Sequence, residues 1–111
     1  MSVDWHALSP RERDAVVAER IMGWTKTEVG EWWKTARGFL AVNDFCPLDV
    51  VDDAWLVVEE MRRRGYTIGI FSRDYYPTGW RVCIGSVAEV RGDSLPDCIC
   101  QAALKCVEGK P

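Results

Sequence analysis

The chain has 111 residues, 48% hydrophobic and 28% charged, the proportions of an ordinary globular protein rather than a disordered, fibrous or membrane one. One domain over residues 1–111 is expected, burying roughly 65% of the surface its unfolded chain would expose. The net charge of −3 argues against a DNA or RNA partner, which needs a basic face, and the absence of any long apolar run or secretory leader pattern argues for a cytoplasmic protein with no membrane partner.

Ser9 reads as an N-cap, Pro10 as the first helical residue with its φ already set, and Glu12 as the reciprocal member of a capping box. Ala15, Val17 or Ala18, Ile21 and Met22 supply the inward face of this first helix, Arg11, Arg13, Glu19 and Arg20 its wet face, and Gly23 its stop. Residues 25–36 are polar, broken by Gly30 and carry Trp32-Trp33, which fits either an extended arm or a short strand. Gly38-Phe39-Leu40-Ala41-Val42 reads as the first firm strand, ended by Asn43-Asp44.

Asp49 is placed to cap a second helix in which Val51, Ala54, Trp55, Val58 and Met61 recur on one face. Arg62-Arg63-Arg64 suits the negative end of its dipole, and Gly65 stops it. Residues 66–72 and 80–85 are β-rich runs joined by a connection holding Pro77 and Gly79, the two arms of an antiparallel hairpin. Val87-Ala88-Glu89-Val90 either extends the second arm or starts a further short strand beyond a bulge at Gly85. A third helix follows, capped by Ser94 with Asp97, striped by Leu95, Ile99, Ala102, Ala103 and Cys106, and stopped by Gly109. The order α-β-α-β-β-α predicts an α+β fold, a three-layer α/β/α sandwich around a small, mainly antiparallel sheet.

Leu8-Ser9-Pro10-Arg11-Glu12-Arg13-Asp14 with Val17 to Trp24, then Asp49 through Trp55-Leu56-Val57-Val58-Glu59, then Pro96 through Ile99-Cys100-Gln101-Ala102-Ala103-Leu104-Lys105, resembles the phage ABA sandwich domain family. The likeness runs in order over all three helices and is looser from Thr25 to Phe45, where the aromatic load is unusual. It implies the layered architecture and a phage origin, hence the cytoplasm of a bacterial host, but no catalytic residues to carry over. By analogy it also implies an inhibitor, or a sponge for a host defence signal.

The residues themselves offer little for catalysis. The five cysteines, Cys46, Cys83, Cys98, Cys100 and Cys106, are odd in number without a secretory signal and are expected as reduced thiols, mostly buried. Cys98 and Cys100 point about 200° apart around a helix, and His6 is the only histidine, so neither a zinc site nor a Cys–His nucleophile is expected. Phosphate loops are missing because the glycines stand singly. Asp52-Asp53 and Glu59-Glu60 read as a wet helix face. The expectation is a protein that is not an enzyme and needs neither metal nor cofactor.

Aromatics are the one excess, with six tryptophans and three tyrosines. Trp24 and Trp55 belong with the core by their positions. Trp32, Trp33, Lys34 and Arg37 form one place where rings stand beside cations; Arg73, Tyr75, Tyr76 and Trp80 form another. A planar ring can stack on an aromatic face while Arg or Lys meets a phosphate, which suits a small nucleotide-like ligand. For Trp32-Trp33 a place in the core or at a subunit interface competes with this reading. The leading expectation is a protein that sequesters a small anionic ligand, a nucleotide-derived host signal; the alternative is an inhibitor of a host protein through an exposed aromatic patch. A homo-oligomer is expected, because a small sheet has edges to cover.

Overall fold

Ser9 opens the first helix as its sequence predicts. A computed structural model, which describes residues 4–28, 30–72, 79–86 and 88–108, shows the Glu12 amide donating to Ser9 Oγ at 3.2 Å and the Ser9 amide donating to Glu12 Oε1 at 2.8 Å. Helix α1, Pro10–Val16, widens into a π-helical turn, Val17–Ile21, whose Val17, Ala18 and Ile21 are sealed from solvent. Gly23 ends it at φ +75°, a conformation a side chain would strain. Arg64 then reaches across from the far end of the second helix and donates to the Ile21 carbonyl at 2.5 Å.

The arm that follows is strand. β1 (Thr25–Lys26), β2 (Trp32–Thr35) and β3 (Gly38–Ala41) form an antiparallel sheet in that order, with Trp33 opposite Leu40 and Lys34 opposite Phe39. Alternation along β2 sends the two adjacent indoles to opposite faces, so Trp33 is 1% exposed and Trp32 45%.

Helix α2 spans Val51–Arg63. Asp49 does not cap it. The amides of Asp49 and Val50 turn back onto the Cys46 carbonyl, which puts Val50 in the N-cap position and leaves Asp53 to accept from the Cys46 amide at 2.9 Å. The buried stripe is Ala54, Val57, Val58 and Met61, whereas Val51 and Trp55 are 51% and 43% exposed. The expected stripe was rotated toward its flank, because Ala54, Val58 and Met61 fit either line. Trp55 is therefore not a core residue. Trp24, by contrast, is half-buried and meets Phe45 edge-on at 4.8 Å.

β4 (Ile68–Phe71), β5 (Trp80–Ile84) and β6 (Ala88–Gly92) form a second antiparallel sheet, and Ala88–Gly92 is a separate strand rather than an extension of β5. Among the described residues six strands thus divide between two sheets, giving an α+β fold with three more strand segments than the expected order held, because β1, β2 and β6 were too short to read firmly. Val82, Ile84, Ala88 and Val90 turn inward onto helix α3, Leu95–Glu108, which packs against β5, β6, α2 and the π-helical turn. Surrounded in this way, α3 buries almost its whole circumference. All five cysteines are free; Cys98, Cys100 and Cys106 lie in this core, with Cys100 Sγ toward the Pro47 carbonyl and Cys106 Sγ toward that of Ile84. Ser94 accepts from the Asp97 amide at 3.4 Å, while the Asp97 carboxylate turns to Trp5 Nε1 and Gln101 Nε2. Val87 and Gly109 lie outside the described residues.

Candidate functional site

Asp14 stands on the same helical line as Val17, Ala18 and Ile21, three, four and seven residues on, so the geometry that buries those side chains also draws a carboxylate inward. It ends in a cleft of about 380 Å³ between α1, the first sheet and the loop before α2. Arg11 and Asp14 come from α1, Lys26 from β1, Trp33 from β2, and Cys46 and Asp49 from the loop. Lys26 Nζ lies 5.4 Å from the centre of the Trp33 ring, which holds the ammonium at the wall by attraction to the π face.

Burial raises the Asp14 carboxyl to about 6; the charges of Asp49 and Asp53 add to the rise, and the Leu48 amide and the Arg11 charge oppose it. One of its oxygens, Oδ1, is buried without a hydrogen-bond partner among the described residues. A buried acceptor left open costs stability unless something fills it. The Cys46 thiol beside it is also raised, first by burial and then by Asp14, Asp53, Asp49 and Asp44, and donates to the Asn43 carbonyl at 3.4 Å. A thiol held protonated in this way is a poor nucleophile. The lining of the cleft therefore combines the Asp14 carboxyl with two cationic residues, Arg11 and Lys26. That combination can bind a ligand carrying N–H donors and an anionic group.

Of the residues expected to bind, only Trp33 lines this cleft. Trp32 and Lys34 are exposed on the opposite face of β2. Arg37 lines a different, more apolar cleft of about 610 Å³ with Trp24, Phe39, Leu56 and Arg63. Trp80 is half-buried in the second sheet opposite Gly92, packed against the core. Arg73, Tyr75 and Tyr76 lie outside the described residues. The structure does not bring Trp32, Lys34, Arg37 and Trp80 together with Trp33, because strand alternation and the division into two sheets separate them. Sequence reasoning missed Arg11, Asp14, Lys26, Cys46 and Asp49, although a carboxylate on an apolar stripe was a legible signal for Asp14.

Among the described residues no helix is long and apolar enough to cross a membrane, and no group of three or more His, Cys, Asp or Glu could hold a metal ion. The fold is similar to the 2.0 Å crystal structure of a phage protein from Bacillus cereus ATCC 14579, with a TM-score of 0.68 and 24% identity over 94% of this chain and 97% of that one. No curated protein matches the sequence. The family model of the phage ABA sandwich domain matches residues 15–104, from the first helix to the end of α3's buried stretch. The chain belongs to the phage ABA sandwich domain family.

Proposed function

We propose that this phage protein binds and sequesters a small anionic ligand in the Asp14 cleft without turning it over, acting in the host cytoplasm on a nucleotide-derived defence signal. The observation that carries the reading is the convergence of the part-buried Asp14 carboxyl with Arg11, Lys26 and Trp33 in the lining of one cleft. A nucleobase presents N–H groups at its edge for such an oxygen, and phosphate oxygens suit the two cations. The cleft volume of about 380 Å³ falls within the ordinary range for small-ligand sites. Binding without chemistry fits a site whose one nucleophilic group, Cys46, is held protonated by its surroundings.

Calorimetric titration with mononucleotides, cyclic dinucleotides and ADP-ribose derivatives tests this, together with recovery of the ligand afterwards. The expected result is binding of at least one of them, recovered unchanged, weakened by roughly ten- to a hundredfold in Asp14→Ala and Lys26→Ala, the loss of one charge-assisted hydrogen bond each. No heat and no thermal shift with any ligand, or full affinity in both variants, would overturn it.

One observation favours a second reading. On the outer face of the first sheet Trp32 and Phe39 are 45% and 64% exposed with Lys34 beside them, a surface of the kind that docks proteins. A stoichiometric host protein captured from lysate, and lost in Trp32→Ala with no small molecule retained, would favour inhibition of a host protein instead.

A further inference from the structure

Seven large hydrophobic side chains are exposed among the described residues, and four of them, Val50, Val51, Trp55 and Leu56, fall within one stretch at the start of α2. The helix already has its buried stripe in Ala54, Val57, Val58 and Met61, so Val51, Trp55 and Leu56 form a second apolar surface that the described residues leave exposed. At 100° per residue, Val51, Asp52, Trp55, Leu56, Glu59, Arg62 and Arg63 share the outward arc. Charge along that arc is divided. The first turn carries Asp52 and the last turn Arg62 and Arg63, all exposed, with Glu59 between them and the Arg63 guanidinium also paired with Glu60 at 2.6 Å.

We propose that the outward face of α2 is a twofold, antiparallel interface with a second copy of this chain, in which Asp52 of each copy meets the Arg62–Arg63 end of the other across Trp55. The charge pattern selects this occupant. A twofold axis perpendicular to the helix superposes the acidic end of one copy on the basic end of the other twice over, and opposes the two helix dipoles favourably. A helix of another protein would need to carry the same pattern reversed; a second copy carries it by symmetry. Trp55, exposed beside the open groove formed with Arg62, Ile68 and Ile70, is the kind of anchor on which such contacts depend. This surface is distinct from the Asp14 cleft, so the two proposals stand or fall separately.

The test is mass by light scattering and sedimentation over a concentration series. The wild-type chain is expected at twice its 12.6 kDa. Trp55→Glu should weaken association by roughly a hundredfold, with unchanged circular dichroism because Trp55 is outside the core. Asp52→Arg alone, and Arg62→Asp with Arg63→Asp, should each be monomeric through like-charge contact at both ends, yet form a heterodimer when mixed. A wild-type chain that stays monomeric at millimolar concentration overturns the proposal. So does a dimer indifferent to Trp55→Glu, or charge variants that do not recover on mixing.

Discussion

Asp14 shows how one residue couples stability to function. An isolated carboxyl titrates near 3.8, and the folded chain raises this one to about 6, mainly by burial. Between these values the folded state holds a proton that the unfolded state has released, so this group's contribution to stability is present below about pH 4 and is lost as pH rises through about 6. For a sealed site the difference would be roughly 3 kcal/mol; the open cleft screens it to about 1 kcal/mol. Asp14→Asn, never charged, should therefore raise the melting temperature by about 5 °C at pH 8 and leave it unchanged near pH 3.5. Equal offsets at the two pH values would show that charge is not the cause. The same variant should bind ligand less well, since it replaces a charged acceptor with a neutral amide. Residue-level reading of the sequence succeeded where a residue's neighbours along the chain decide its role, as with Gly23 and Gly65 at φ +75° and +96°. It failed for Trp55, whose side of α2 depends on what packs against the helix.

At the level of elements, the helix starts differ in strength in a way that can be measured. Ser9 and Glu12 complete both halves of the capping box, at 3.2 and 2.8 Å, whereas Ser94 makes one long bond at 3.4 Å and its expected partner Asp97 is engaged by Trp5 and Gln101. Ser9→Ala should thus cost about 1 kcal/mol, and Ser94→Ala clearly less, by chemical denaturation. Similar losses would mean that the reciprocal bond from Glu12 adds nothing. The caps at Ser9 and Ser94 were legible because they act within four residues, whereas Asp49 fails as a cap because the chain before α2 turns back onto the Cys46 carbonyl. Strands β1 and β2 were not, because strand recognition relies on alternation of apolar and polar positions and Trp32-Trp33 sets two indoles side by side. Only pairing with β3 decides which indole turns inward.

Across the whole molecule, the division into two sheets was beyond the sequence, since no local signal shows that β3 and β4 do not pair. The candidate site shares that property: α1, β1, β2 and the loop before α2 each contribute to it, and no local motif joins them. The central place of α3 has a measurable consequence for the thiols. Cys98, Cys100 and Cys106 are buried on it, and burial raises all three, Cys98 to about 11 and Cys100 well above the usual thiol range. A thiol reagent needs both access and the thiolate, so these three must wait for α3 to be released from β5, β6 and α2 together. Cys46 and Cys83 are part-exposed and need no such release, although its raised thiol slows Cys46. Two fast and three slow modifications are expected by mass spectrometry of the native protein, the slow three sharing one rate set by global opening. Ser9→Ala should accelerate those three together by roughly fivefold, the factor for about 1 kcal/mol, without touching the fast pair. If Cys106 reacts ahead of Cys98 and Cys100, or the slow rates ignore the cap at the other end of the chain, then α3 does not bind the first helix, α2 and the second sheet into one cooperative unit.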